Sequence, residues 1–361
     1  MKNNRVINAW CMYDWANSVY SLVITTAIFP IYYNSVTTSS SGSDLVNFFG
    51  IEIVNSVLYS YSLSFSFLIL TFFQPILSGI ADFSGNKKLF LRLFMYLGSF
   101  ACMSLYFFDG NNIEFGIISS VIASIGFTGS LVFYNAFLPE IASEDDLDKI
   151  SARGYTFGYI GSVILLIICL ILIQMFDVFG FKDSKSATKF TFLLVGIWWI
   201  VFSQITLYFI PQKAKKIKLN LEILSHGIKE LIKVWNYIKN VRNLKLYLFS
   251  YFFYSMGVQT IMLVASYFGS KELNLDQDKL IFTILIIQII AIFGAYFFAY
   301  VSKMKGNKFS LVVMNIAWIF ICFSAYFTTN ESQFYFLAAA VGILMGGIQS
   351  LSRSTFSKLI P

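Results

Sequence analysis

Asp14 and Asn17 stand almost one helical turn apart at the start of the chain's first apolar run. An ionisable group costs about 2.5–3.5 kcal/mol at the centre of a bilayer and less near its edge, so an acid kept there points to function. Asp14 can bind a substrate ammonium, carry a proton, or pair with Arg153 as a gate. The competing reading is a helix cap, because an Asp side chain accepts from the free N–H groups at a helix start. Gln74, Gln204, Gln259 and Gln288 lie in apolar runs, each as hydrogen-bonding glue between helices or as a substrate contact. Other chemistries fall away early. His226 is the only histidine, so neither a His-based metal cage nor a Ser-His-Asp triad can be assembled. Cys11, Cys102, Cys169 and Cys322 are widely spaced, form no CxxC pair, and read as small core residues. The phosphate-binding pattern G-x-x-x-x-G-K-[ST] does not occur.

The elements that position these groups are membrane spans. The 361 residues are 57% hydrophobic and 12% charged, against about 25% charged in a soluble domain. At about 20 residues per span, ten apolar windows can be placed. Six lie near Trp15–Tyr33, Ser56–Leu77, Leu93–Phe108, Phe115–Leu138, Tyr155–Phe176 and Phe190–Ile210. After a polar break come Leu246–Phe268, Leu280–Val301, Phe309–Tyr326 and Phe334–Leu351. Lys2 and Arg5 precede the first run, but it contains Asp14 and Asn17 and ends without an A-x-A-like site, so it reads as an uncleaved span. The loop from Asn34 to Asn55 is Ser/Thr-rich and holds no catalytic constellation.

Charge sets the orientation. With a cytoplasmic N-terminus, 21 of the 26 Lys and Arg fall on the inside, which places both ends in the cytoplasm. The net charge of +7 resides in the break from Pro211 to Lys245, where nine basic residues face only Glu222 and Glu230. The basic balance therefore describes a linker, not a nucleic-acid surface. Within it Leu221, Leu224, Ile228, Leu231, Trp235 and Ile238 recur at helical spacing opposite Lys229, Lys233 and Lys239. This pattern fits an amphipathic helix on an anionic membrane surface, or a plain solvated linker.

Six spans, a basic linker and further spans suggest two repeated halves, as in many secondary transporters. The turn after the second span, Ser78-Gly79-Ile80-Ala81-Asp82-Phe83-Ser84-Gly85-Asn86-Lys87-Lys88, resembles the major facilitator superfamily signature G-x-x-x-D-x-x-G-[RK]-[RK]. Asp82, Gly85, Lys87 and Lys88 fit it as a cytoplasmic gate motif: Gly85 for a tight turn, Asp82 for a pair across the half-bundle interface. The corresponding second-half loop, Tyr300 to Lys308, keeps a glycine and lysines but has lost the acid. Gly154-x-x-x-Gly158 and Gly342-x-x-x-Gly346 fit close helix packing. Span four has no basic residue and span five no Gly-Pro pair, unlike drug exporters of that superfamily.

A narrower resemblance covers nearly the whole chain. Tyr13-Asp14-Trp15-Ala16-Asn17-Ser18 with Phe29-Pro30, Tyr134-Asn135-Ala136-Phe137-Leu138-Pro139-Glu140, and Ser151-Ala152-Arg153-Gly154 through Gly161 carry it in the first half. Tyr254 to Thr260 and Gly347-Ile348-Gln349-Ser350-Leu351-Ser352-Arg353-Ser354 carry it in the second. The set resembles the "unknown major facilitator" family, related to autophagy-related vacuolar amino-acid effluxers. The resemblance implies a twelve-helix fold, amino-acid transport in the efflux direction, and Asp14, Asn17, Asn135, Arg153 and Gln259 as substrate or coupling residues. Family members often place an acid where this chain has Met256, so that role is not carried over.

The expectation is an all-α major facilitator superfamily bundle: residues 1–210 as a six-helix half, 211–245 as the linker, and 246–361 as an incomplete second half. Two further helices, roughly 50–70 residues, are expected beyond Pro361. The expected function is alternating-access transport of a small polar solute, driven by an ion or solute gradient, without cofactor or metal. The expected setting is a monomer in the cytoplasmic membrane of a prokaryote, meeting its solute and anionic lipids but no nucleic acid. A non-transporting scaffold or receptor and a multispan lipid or glycan transferase are the competing classes.

Overall fold

The computed structural model describes residues 4–39, 42–212 and 221–360, apart from the side chains of 221–226, Leu263, Val264, Ser266, Tyr267 and Lys271. Four linker lysines and the side chains of Leu221, Leu224 and His226 thus lie outside the described residues. In order the helices are α1 (Asn4–Val19), α2 (Phe29–Thr37), α3 (Asn55–Ser84), α4 (Lys87–Ser104), α5 (Ile113–Asn135), α6 (Leu138–Ile141), α7 (Leu147–Gln174), α8 (Ser184–Phe209), α9 (Leu221–Asn240), α10 (Arg242–Lys271), α11 (Gln277–Lys305), α12 (Asn307–Tyr326) and α13 (Glu331–Leu359). All ten apolar windows fall on helices. Among the described residues nine helical segments are long and apolar enough to cross a membrane; α10, at 30 residues, carries the remaining window.

Local chemistry explains the breaks. Tyr20–Ile28, between α1 and α2, is π-helical, and Pro30 stands two residues after it. A proline lacks the N–H for the carbonyl four residues back and its ring crowds that carbonyl, which disfavours regular α pitch. Gly85 ends α3 in the left-handed conformation, at φ 65°. Asp183 caps α8 by accepting from the Ser186 N–H at 2.7 Å. The Ser/Thr-rich loop contains the strands β1 (Leu45–Phe48) and β2 (Ile51–Val54), paired antiparallel. Phe49 and Gly50, both at positive φ, form the two-residue turn between them.

The chain divides into two compact units. One comprises Ala16–Ala136 and Ile164–Val234, the other Met1–Trp15, Phe137–Val163 and Trp235–Pro361. In the first, α4 and α5 meet at Gly98 and Gly126, where an added Cβ on Gly126 would lie 2.3 Å from the Gly98 Cα. Gln74 of α3 donates to the Gly129 carbonyl of α5 at 3.0 Å, a glue role. The N-terminal part of α9 docks on α3, since a Cβ on Gly79 would sit 2.4 Å from the Gly227 oxygen. Ile228, Ile232 and Trp235 of α9 remain exposed.

The second unit mixes segments from both sides of the linker. Its core runs along α11, α12 and α13 through Ile287, Ala291, Phe298, Met314, Trp318 and Val341. Gly294, Gly342 and Gly346 bring α11 and α13 into backbone contact; a Cβ on Gly346 would lie 2.0 Å from the Ala291 oxygen. On an open helix surface Gly→Ala gains roughly 1 kcal/mol of helix propensity. Gly257, with nothing within 4 Å of its notional Cβ, should show that gain. Gly346→Ala is expected to do the reverse and lower the yield of monodisperse protein severely. Thermal unfolding and size-exclusion profiles of Gly257→Ala and Gly346→Ala side by side check the opposite signs.

Candidate functional site

α1 begins at Asn4, so Asp14 lies ten residues, roughly 15 Å, inside the helix rather than at its start. This corrects the capping reading: every backbone N–H within reach of Asp14 already belongs to a formed helix. Its carboxylate is buried and needs a cation. Arg353, from the last two turns of α13, provides it, donating from Nη1 to Asp14 Oδ2 at 2.9 Å. The pair is nearly sealed, with side-chain exposures of 5% for Arg353 and 6% for Asp14.

The rest of the guanidinium is satisfied by α7. Its Nε donates to Ser151 Oγ at 2.9 Å and its Nη2 to the Ser151 carbonyl at 2.7 Å. Ser151 Oγ in turn donates to the Ser350 carbonyl at 2.7 Å, so one hydroxyl joins α7 to α13 as acceptor and donor at once. Trp10 and Tyr155 face the guanidinium, their ring centroids 4.7 and 4.1 Å from its central carbon. A desolvated cation over such rings gains about 2 kcal/mol. Gly154 makes the space: a Cβ there would lie 2.5 Å from Asp14 Oδ2 and 2.7 Å from Arg353 Nη2. Gly161, two turns on, similarly admits Trp15, so Gly154 and Gly161 both face α1.

Further contacts fasten the same stretch of α13. Tyr247 of α10 donates to the Ser352 carbonyl at 2.7 Å, Tyr254 shares a 2.7 Å bond with Ser352 Oγ, and Tyr159 of α7 donates to Gln349 Oε1 at 2.8 Å. Gln349, Ser350, Ser352 and Arg353 thus form a spine that α1, α7 and α10 grip from different sides. Breaking the buried pair by removing one partner costs about 3–5 kcal/mol, because the other charge is stranded. The arrangement is a buried ion pair whose charges are held by α1, α7 and α13.

The other expected site residues are distributed unevenly. Arg153, offered by the sequence as the partner of Asp14, instead lies 5.6 Å over the ring of Phe157, one turn along α7. Gln259 is exposed on α10. Asn17 and Asn135 belong to the other compact unit. Among the described residues the buried Nδ2 of Asn17 and Oδ1 of Asn135 have no hydrogen-bond partner, which leaves each able to take a polar ligand. In the gate motif, Asp82 pairs with Lys87 at 3.2 Å inside its own turn, because Gly85 folds the chain back on itself. Among the described residues Asp82 thus has a local ion pair, where the sequence led to one across the half-bundle interface. Lys88 donates to the Ile210 carbonyl at the end of α8 at 3.0 Å, where a cation suits the helix dipole.

Arg353 was legible as one basic residue among those setting orientation and as part of the Gly347–Ser354 resemblance, not as the partner of Asp14. The signal that could have found it is the need of a buried acid for a cation. The hydropathy window that stops at Leu351 places Arg353 outside the span, whereas α13 continues to Leu359.

Comparison with known proteins identifies the family and the fold. The profile of the vacuole effluxer Atg22-like family matches residues 2–361. An MFS-type transporter of Bacillus subtilis (strain 168), YxiO, is 33% identical over 98% of this chain and 81% of its own length. Autophagy-related protein 22-1 of Penicillium rubens is 22% identical over 92% of this chain and 69% of its own. Among solved structures, a bacterial homologue of the iron transporter ferroportin in an outward-facing state aligns with a TM-score of 0.64 at 13% identity, covering 100% of this chain and 85% of that one. The fucose transporter FucP, in an outward conformation, gives 0.64 at 13% identity over 99% and 87%. The chain belongs to the vacuole effluxer Atg22-like family and is a multi-pass transporter of the major facilitator superfamily, not an enzyme.

Proposed function

We propose that the protein exports a small zwitterionic solute, an amino acid first among them, across the cytoplasmic membrane of a prokaryote by alternating access. The observation that carries this reading is the buried Asp14–Arg353 pair. When α1 and α7 part from α13, the pair separates into one free carboxylate and one free guanidinium. An amino-acid zwitterion carries the matching ammonium and carboxylate, and Arg binds a carboxylate in a bidentate fork. A neutral sugar would leave both charges without an ionic partner and a simple anion would leave the carboxylate without one, a penalty that disfavours either. Efflux follows the description of the family, and an ion or solute gradient supplies the energy. Residues 1–210 and 246–361 act as the two halves. Both termini face the cytoplasm, in keeping with the 21 basic residues on that side. Exposed Ile228, Ile232 and Trp235 beside Lys229, Lys233 and Lys239 on α9 support anionic lipid as a partner of the linker.

Proteoliposome counterflow with a panel of amino acids, short peptides, a sugar and a monocarboxylate tests the reading. Labelled zwitterion is expected to accumulate against preloaded zwitterion. Exchange of the sugar or the carboxylate alone would overturn the substrate class, and no exchange with any solute would favour a scaffold.

A further inference from the structure

The loop between α11 and α12 parallels the α3–α4 turn but contains no acid between Tyr300 and Lys308. The structure brings one from elsewhere. Asp148, in the first turn of α7, is buried, with Oδ1 accepting from Asn307 Nδ2 at 2.8 Å and Oδ2 accepting from Lys358 Nζ at 2.7 Å. The Ser302 hydroxyl lies 2.9 Å from Asp148 Oδ2 and 3.0 Å from Asn307 Oδ1, able to donate to either. Lys358 also donates to Asn307 Oδ1 at 2.8 Å, and Asn307 Nδ2 donates its second proton to Thr355 Oγ1 at 2.9 Å. One residue each from α7 and α11, one from the start of α12 and two from α13 thus saturate one another.

We propose that Asp148 supplies the acid missing from the second-half loop and forms with Lys358, Asn307 and Ser302 a second latch, which must break before α7 can part from α13. The inference rests on the alternating-access reading above. Its geometry differs from that of the first-half turn in the way a latch requires. The Asp82–Lys87 pair joins two consecutive helices across one tight turn and survives any motion in which α3 and α4 move together. The Asp148–Lys358 pair ties separate helices and cannot survive their separation. It is also wetter than the inner pair, with Lys358 at 23% and Asp148 at 9% side-chain exposure, so water reaches it first. Reversibility is built in. Asp148 lies in the first turn of α7 and Lys358 in the last turn of α13, so each charge keeps a favourable helix dipole after the pair has broken. Lys358 is five residues, roughly 7.5 Å, from Arg353 along α13, which places the latch outside the Asp14 site as a separate layer.

Cys11 is a native reporter, fully buried on α1 one turn before Asp14. Its alkylation by a membrane-impermeant maleimide in a Cys322→Ser background reads the opening of this end without any substrate. Asp148→Asn and Lys358→Met are each expected to raise the rate about tenfold, which corresponds to about 1.4 kcal/mol of lost closure. The charge exchange Asp148→Lys with Lys358→Asp should return the rate to within about threefold of wild type. Glu331→Gln, which breaks the 2.6 Å Lys279–Glu331 pair at the opposite end of α11 and α13, should leave it unchanged. Wild-type labelling of both Asp148→Asn and Lys358→Met would overturn the latch. So would a rise matched by Glu331→Gln, since that reports general loosening. If counterflow fails for every solute while Cys11 labelling follows this pattern, the latch stands and the substrate reading falls.

Discussion

Asp14→Asn is expected to insert and express normally yet transport at a tenth of the wild-type rate or less. Asparagine keeps the size of the side chain and an oxygen that can still accept from Arg353 Nη1, so packing around the site survives. What is lost is the charge. Arg353 then stays in its box of Trp10, Tyr155 and Ser151 with no anion, and a zwitterion's ammonium has no carboxylate to meet. Arg353→Met is expected to be worse for stability, because it strands the Asp14 carboxylate in a buried position at a cost of about 3–5 kcal/mol. The double variant Asp14→Asn with Arg353→Met removes both charges and should recover much of that stability without recovering transport. Initial counterflow rates together with thermal unfolding of the three variants separate the two effects. If Asp14→Asn transports at the wild-type rate, the pair is a packing device and the site assignment fails.

Gly154→Ala is the second large effect. A methyl group at this position would lie 2.5 Å from Asp14 Oδ2 and 2.7 Å from Arg353 Nη2, distances at which atoms must move. Neither group has slack: the guanidinium is fixed by Ser151 and two rings, and the carboxylate by its own helix. The closed end therefore cannot seat. Transport is expected to fall at least tenfold, and the Cys11 labelling rate to rise, although Ala is the better helix former by roughly 1 kcal/mol. Ordinary overpacking would cost about 1–3 kcal/mol of stability and leave Cys11 protected. Labelling and unfolding measured on the same preparation decide between a disturbed closure and a merely crowded helix. Unchanged labelling with lowered stability would reduce Gly154 to a packing residue, like Gly346.

The spans were readable because a bilayer demands about 20 consecutive apolar residues of each, a requirement written in composition alone. All ten windows land on helices for that reason. The windows failed at their ends, and the failures are instructive. Hydropathy places the start of the first span at Trp15, the fifth at Tyr155 and the end of the tenth at Leu351, whereas the helices run from Asn4, from Leu147 and to Leu359. The turns left out hold Asp14, Asp148, Ser151, Arg353 and Lys358. Polar residues that pair with one another lower local hydropathy as much as residues facing water do, so a window cannot tell a buried site from a loop.

Sequence by itself determined the membrane class, the helical spans, the Gly85 turn and the presence of an ionisable Asp14 beside the first span, because each follows from a residue's own chemistry or its near neighbours. Tertiary structure alone decided that the partner of Asp14 is Arg353, 339 positions away, and not Arg153. It also decided that Asp82 pairs locally while Asp148 pairs with Lys358 and Asn307 beside the loop that has no acid of its own. A carboxylate states in sequence that it needs a cation. Which cation it receives depends on the close approach that Gly154 gives α7 and Gly346 gives α13, and such distances exist only once the helices have packed.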